Sequence, residues 1–363
     1  MSKTTLRQKH IVLRQGLRLN SAECPQHNPE RNRRIVCIGG GTGTSVVLAS
    51  LKKYPLKLSA VVSMFDGGAG SSGCLRDELG VLPPGDARQC LLSLTKKGDL
   101  ADLFNYRFDN GRLKGHNLGN LFMAAAEKSI GGFDKGIEEL SKILDIKDQV
   151  IPVTLDNCHL KAILKDGKTL KNEDRIINYP SLSKIGIKEL YLEPRAQANP
   201  KAIKAIKKAD LVIIGPGKFY TSLIPHFLVT EIAEAVRKTN AKKVFICNLM
   251  TQVGNTDGFS VEDFLSVLEK YLGKGVIDYV IFNTGKLSPT LLKQVKKVFP
   301  EGEFIKYNRF LLAEKGFIGK DIIDRKIRRL DSSDIFVNGA NQRTMVLHQS
   351  EKLAKIIINL LKN

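Results

Sequence analysis

The residues able to do chemistry gather in six short, mostly glycine-rich stretches of this 363-residue chain. The first, Gly39-Gly-Gly-Thr-Gly-Thr44, follows the apolar run Ile35-Val-Cys-Ile38 and precedes Ser45-Val-Val-Leu-Ala-Ser-Leu51, whose apolar spacing is helical. Strand, glycine turn and helix start together aim free backbone N–H groups at one spot, which suits a phosphate. Gly40, Gly41 and Gly43 let a ligand come close, and Thr42 and Thr44 add hydroxyl donors. The third glycine of a dinucleotide fingerprint and the lysine of a P-loop are both missing, so a tight turn with no ligand is the plain alternative.

The second stretch, Ser63-Met-Phe-Asp-Gly-Gly-Ala-Gly-Ser-Ser-Gly73, also follows a strand pattern, Leu58–Val62. Asp66, beside Gly67, Ser71 and Ser72, suits Mg²⁺, a ribose hydroxyl or a turn cap. Arg76 comes next, placed for an anion or for the surface. In the third, Leu82-Pro-Pro-Gly-Asp-Ala-Arg88, Asp86 and Arg88 sit at a helix start, either for a ligand or as an N-cap and a surface arginine. In the fourth, Gly115-His-Asn-Leu-Gly-Asn120, Asn117 and Asn120 pair donors with acceptors for a base or sugar, with Asn117 as a simple cap the alternative. The fifth, Ile214-Gly-Pro-Gly-Lys-Phe-Tyr-Thr-Ser222, offers an anion site through Gly215, Gly217, Lys218, Tyr220 and Thr221. The sixth, Cys247-Asn-Leu-Met-Thr-Gln252, carries Asn248 and Thr251 at a strand end. No Ser-His-Asp, Cys-His or paired-carboxylate pattern accompanies them, and the six histidines are dispersed without zinc spacing. The chemistry on offer is phosphate binding with at most one metal, at Asp66.

Alternating strand and helix patterns must position these stretches. Strands are expected near 35–38, 58–64, 211–214, 243–248 and 279–282, and helices over 45–53, 84–95, 100–108, 117–128, 133–144, 200–208, 223–238, 261–272 and 350–361. That alternation predicts an α/β, Rossmann-like, doubly wound and mostly parallel sheet with helices on both faces and ligands at the carboxyl ends of its strands. Residues 150–192 break the rhythm and read as a small antiparallel β insertion with a hairpin at Asp166-Gly167. Residues 1–33 are basic, with no acid before Glu23, and read as a disordered arm preceding a single domain over 34–363.

Composition narrows the class. A hydrophobic share of 42% and a charged share of 26% are those of an ordinary globular chain. No apolar run is long enough for a membrane span, and the six cysteines lack CxxC spacing, which predicts reduced core thiols and a cytoplasmic protein. The net charge of +20 raises nucleic acid as a partner. Its lysines are scattered over outer helix faces with no aromatic RNA-reading motif beside them, which argues against a specific nucleic-acid role.

In order along the chain, GGGTGT, DGG with SSG, LPPGDARQCL, GHNLGNL, IGPGKFYTSLIP, CNLMTQ and the tail Leu347-His-Gln-Ser-Glu-Lys-Leu-Ala354 resemble the CofD-like superfamily, and most of all its bacterial gluconeogenesis-factor (YvcK-type) branch. The resemblance implies a Rossmann-like fold, a homodimer, and one of two activities. One is binding of a nucleotide sugar, notably UDP-N-acetylglucosamine, in control of cell wall, cell shape and central carbon metabolism. The other is Mg²⁺-assisted transfer of a phospholactyl group from a nucleoside-diphosphate-linked donor, with Asp66 as the catalytic or metal-holding carboxylate. The chain departs from the family pattern at Phe65, where a second aspartate is usual, at an apparent two-residue insertion around Ala69-Gly70, at Lys218 in place of serine, and at Phe264 in place of histidine. Loss of one carboxylate weakens a metal site, whereas Lys218 favours an anion held by charge.

Overall fold

A computed structural model describes residues 32–67, 70–96, 98–326 and 346–362. Seven strands, all parallel, form the main sheet: β1 (Arg34–Gly39), β2 (Lys57–Val62), β3 (Gln149–Pro152), β7 (Leu211–Ile214), β8 (Lys242–Ile246), β9 (Tyr279–Asn283) and β10 (Phe317–Lys320). The remaining strands, β4 (His159–Leu164), β5 (Thr169–Lys171) and β6 (Ile187–Glu193), form a separate antiparallel sheet in the order β5-β4-β6. Most of the expected basic arm, residues 1–31, lies outside the described residues, as does Ala69 of the apparent insertion.

The main sheet runs β10-β9-β8-β7-β1-β2-β3. The chain thus builds outward from β1 to one side, then returns to β7 and builds outward to the other. The strand order reverses between β1 and β7, and in open α/β sheets ligands bind at that crevice. The two central strands are apolar along their length: Ile35 to Ile38 and Leu211 to Ile214 are all buried, as both-face burial in a parallel sheet requires. Their register, Ile35 on Leu211 through Ile38 on Ile214, brings the glycine turns at their ends to the same edge.

Four sequence expectations change in detail. The segment from Val150 is not part of the antiparallel insertion: β3 pairs in parallel with β2 at the main sheet's edge. Its apolar residues Val150 and Ile151 are buried consecutively rather than alternately, the pattern of a parallel strand. The glycine stretch 39–44 is largely not a loop, because the first helix already begins at Gly41 and runs to Leu51. The stretch 66–73 turns into a helix, Ser71–Leu79, whose weak apolar periodicity hid it. The expected helix over 223–238 is divided into a π-helical turn Phe219–Leu223 and helices Ile224–Leu228 and Thr230–Lys238, with Val229 extended between the last two.

The two turns touch backbone to backbone. A Cβ built on Gly43 would lie 2.0 Å from the Pro216 carbonyl oxygen and 2.6 Å from its carbon. No side chain fits there, so only glycine lets the first helix sit against the turn after β7. Gly43→Ala is therefore expected to lower stability by roughly 3 kcal/mol or more, since overpacking against backbone cannot be relieved by a rotamer change. Urea denaturation of the variant checks this; a loss below about 0.5 kcal/mol, the range of a neutral surface change, would contradict the contact.

Candidate functional site

A cavity of about 560 Å³ opens over the β1–β7 crevice. Its walls take Gly40 to Gly43, Asp66, Gly67, Ser71, Ser72, Asp86, Arg88, Asn120, Gly217, Lys218, Asn248 and Thr251 from the residues expected on sequence grounds. They come from separate stretches that the sheet topology converges on one rim.

Each wall group is held by its neighbours. Gly41 N–H faces the Asp86 carboxylate, and a Cβ at Gly41 would stand 2.6 Å from Asp86 Oδ1. The helix N-terminus expected to be free for a phosphate is thus partly satisfied by an internal carboxylate, brought by the helix Gly85–Leu94. Asp86 is 8% exposed, and its Oδ2 has no hydrogen-bond partner. Thr42 Oγ1 donates to Gln89 Oε1 at 2.9 Å. Arg88 donates through Nε to Asn120 Oδ1 at 2.8 Å and through Nη1 to Asn105 Oδ1 at 2.7 Å. Asn248 clamps the other turn, donating through Nδ2 to the Gly217 carbonyl at 2.8 Å and accepting from Gly217 N at 3.4 Å. Thr251 exchanges hydrogen bonds with the Glu303 backbone and thereby fixes the far wall.

Several expected ligand contacts lie elsewhere. Arg76 is buried and spends its guanidinium on Asn157, the Cys158 carbonyl and the Asp66 carbonyl, so it holds the Asp66 backbone from behind. Asn117 takes its capping alternative: Oδ1 accepts from Gly119 N at 2.9 Å and Asn120 N at 3.3 Å, at the start of helix Leu118–Ile130. Thr44 is fully buried behind Gly39, and Thr221 is equally enclosed. Tyr220 packs edge-on against Phe219 and Phe259. Gly215, at φ 78°, makes the turn itself and does not line the cavity.

Glu173 is the residue that sequence reasoning missed. It opens the short helix Glu173–Ile177 beyond β5, is 6% exposed, and accepts from Lys218 Nζ at 3.2 Å. The residue before it, Asn172, sits at φ 74° and ψ 153°, outside the left-handed region that asparagine usually takes. Gln89, Arg107, Ser222, Gln252 and Glu301 also line the cavity, and Met250, Phe299, Val346 and Leu347 give one end an apolar wall.

The electrostatics centre on Asp66, Asp86 and Glu173. Desolvation raises the Asp66 carboxyl, against the charges of Lys218 and Arg76. Desolvation, then the charge of Asp66, raises Asp86 well above the usual range. Desolvation brings Glu173 up to about 7, although Lys218 opposes it. Desolvation acts to lower the Lys218 ammonium, but Glu173, Asp66 and Asp86 together hold it above its ordinary value. The Lys218 side chain keeps 44% of its surface because it faces the cavity's open volume, while protein surrounds that volume on its other sides.

The described acids do not form an all-protein metal cage. Among the described residues no three His, Cys, Asp or Glu side chains stand close enough to hold one ion. Phe65, where a second aspartate would stand, is buried edge-on to His226 with ring centres 6.5 Å apart. Phe264 is likewise core, 4.8 Å from the Phe219 ring. Both departures from the family pattern replace polar groups by packing.

Comparison with known proteins accords with this architecture. Residues 35–316 match the family described as 2-phospho-L-lactate transferase CofD. A relative in Clostridium acetobutylicum is 40% identical over 328 residues, covering 90% of this chain and 69% of that protein. The gluconeogenesis factor of Bacillus subtilis is 37% identical over 332 residues, covering 91% of this chain and 98% of that one. A crystal structure of a UPF0052-family protein from Bacillus halodurans superposes with a TM-score of 0.78 at 33% identity, covering 90% of this chain and 99% of that one. Among the described residues no helix is long and apolar enough to cross a membrane.

Raised carboxyl values have a sign in stability. The folded chain holds the Glu173 proton more tightly than the unfolded chain, so its contribution is fully present below the ordinary value and is lost as pH rises to about 7. The ligand-free protein should show a lower urea midpoint at pH 7.5 than at pH 5.5, and Glu173→Gln should shrink that difference. An unchanged difference in the variant would contradict the assignment.

Proposed function

The chain belongs to the CofD family, and from that premise we propose that it is a nucleotide-sugar-binding regulatory protein acting in the cytoplasm. The observation that carries this reading is the meeting of two glycine turns, one after β1 and one after β7, with Lys218 facing a single cavity at the sheet's switch point. A diphosphate would lie across the cavity face of the two touching turns, along Gly40, Gly41 and Gly217, where no side chain intervenes and Lys218 supplies positive charge. The volume is within the range that buries a small ligand. Arg88 with Asn120, and Gln89 with Thr42, offer polar contacts on one side for sugar or base. Met250, Phe299 and Leu347 offer an apolar wall on the other for a ring.

UDP-N-acetylglucosamine is the ligand the family resemblance favours. The name of the Bacillus subtilis relative ties that protein to gluconeogenesis, and a part in control of central carbon metabolism and cell shape comes to this chain as part of the same proposal, as does a homodimer. Binding is better supported than phospholactyl transfer, because a lysine ammonium already pairs with Glu173 where transfer would want a metal, and Phe65 stands in place of a second aspartate.

Titration calorimetry tests the reading. UDP-N-acetylglucosamine should bind, and at 100 times its Kd should stabilise the fold by roughly 2.7 kcal/mol. No heat at millimolar ligand would sink it. Mg²⁺-dependent turnover of a nucleotide-diphosphate-linked donor, abolished by Asp66→Asn, would replace it with the transferase.

A further inference from the structure

We propose that Lys218 is a resident counter-cation of the cleft, its ammonium standing among Asp66, Asp86 and Glu173 in the role a divalent ion would otherwise fill, so that the site takes an anionic ligand without metal. The metal-independent half of this proposal stands apart from the nucleotide reading, and the ligand half rests on it.

Three observations support it. The three carboxylates arrive from separate elements, the loop after β2, the helix Gly85–Leu94 and the helix Glu173–Ile177, and two of them are under 10% exposed. Buried charges of one sign need a counter-charge. Lys218 pairs directly with Glu173 at 3.2 Å and lies in the field of Asp66 and Asp86 as well. Its backbone is fixed on both sides: Asn248 clamps Gly217, and the Lys218 carbonyl accepts from Ser222 N at 2.8 Å and Leu223 N at 3.1 Å. The side chain therefore starts from a fixed point, and its pairing with Glu173 sets where the ammonium stands.

The donor arithmetic completes the case. An ammonium has three N–H groups and accepts nothing. Glu173 takes one, and the exposed side of Lys218 faces the cavity, where the others can reach a phosphate oxygen. Lys218 thus bridges buried carboxylates and an incoming anion, as a metal does in sites with more closely grouped carboxylates. Beside this group, Ser72 accepts from Gly85 N, and Arg76 is held behind Asp66 by Asn157.

The test has two arms on the full chain. Titrating Mn²⁺ and following its free electron-resonance signal, without nucleotide, should show no stoichiometric site in the wild type. Lys218→Met removes the competing ammonium, so one or two of the carboxylates, with water completing the shell, should take up Mn²⁺. Stoichiometric Mn²⁺ binding by the wild type that Asp66→Asn removes would overturn the proposal, as would identical Mn²⁺ curves for wild type and Lys218→Met. In the second arm, UDP binding by the wild type should be the same in EDTA and in excess Mg²⁺. Lys218→Met should bind about ten- to hundredfold more weakly in EDTA, the loss of a charge-assisted contact, and Lys218→Arg, which keeps the charge and reports on folding, should lose less. Wild-type UDP binding that collapses in EDTA would overturn the proposal. Absence of UDP binding by every form, with no Mn²⁺ site in the wild type and one in Lys218→Met, would remove the nucleotide reading and leave the counter-cation in place.

Discussion

The approach of the first helix to the Pro216 turn is the constraint on which the site depends. Strands β1 and β7 are neighbours, and the chain diverges from them in opposite directions. A crevice opens there in any doubly wound sheet, but its width is set by the turn at the end of each strand. Here Gly43 meets the Pro216 carbonyl with no room for a Cβ. Backbone on backbone leaves the turns close, rigid and bare. Every other part of the cleft is placed relative to that contact, including Lys218 two residues beyond Pro216 and the helix start that faces Asp86.

That closeness imposes a charge problem. The helix start at Gly41 attracts negative charge, and Asp86 supplies it from within the protein. Asp66 and Glu173 add two more acids in a region where desolvation already favours their protonated forms. A phosphate entering such a place meets repulsion unless positive charge is present. Lys218 provides it from a clamped backbone, and Arg88 and Arg107 stand further along the wall, each with partners of its own. Much of the chain's net charge of +20 lies on outer helix faces and has no part in this balance.

The fold was legible because parallel strands buried on both faces must be apolar throughout. Ile35–Ile38 and Leu211–Ile214 announce themselves, and the glycines after each mark the strand ends. β3 was legible as a strand but not as to its partner, since four residues carry too little pattern to distinguish an edge of the main sheet from an insertion. The glycine turns, Asp66, Asp86 and Lys218 were legible as residues of the site. Their mutual relations were not: nothing local shows that Asp86 would occupy the helix start, or that Arg76 would serve Asn157 instead of a ligand. Glu173 was hidden for the same reason. It reaches the cleft only because the antiparallel sheet folds back over Lys218, a relation between segments 45 residues apart.

The most direct measurement of the central claim is diffraction from crystals soaked with UDP-N-acetylglucosamine in the presence of EDTA. The diphosphate should lie on the cavity face of the Gly40–Gly43 and Gly217–Lys218 turns, with the Lys218 ammonium between a phosphate oxygen and Glu173. Ligand density elsewhere on the chain, or a diphosphate in that cleft that orders only when a divalent metal is added, would contradict it.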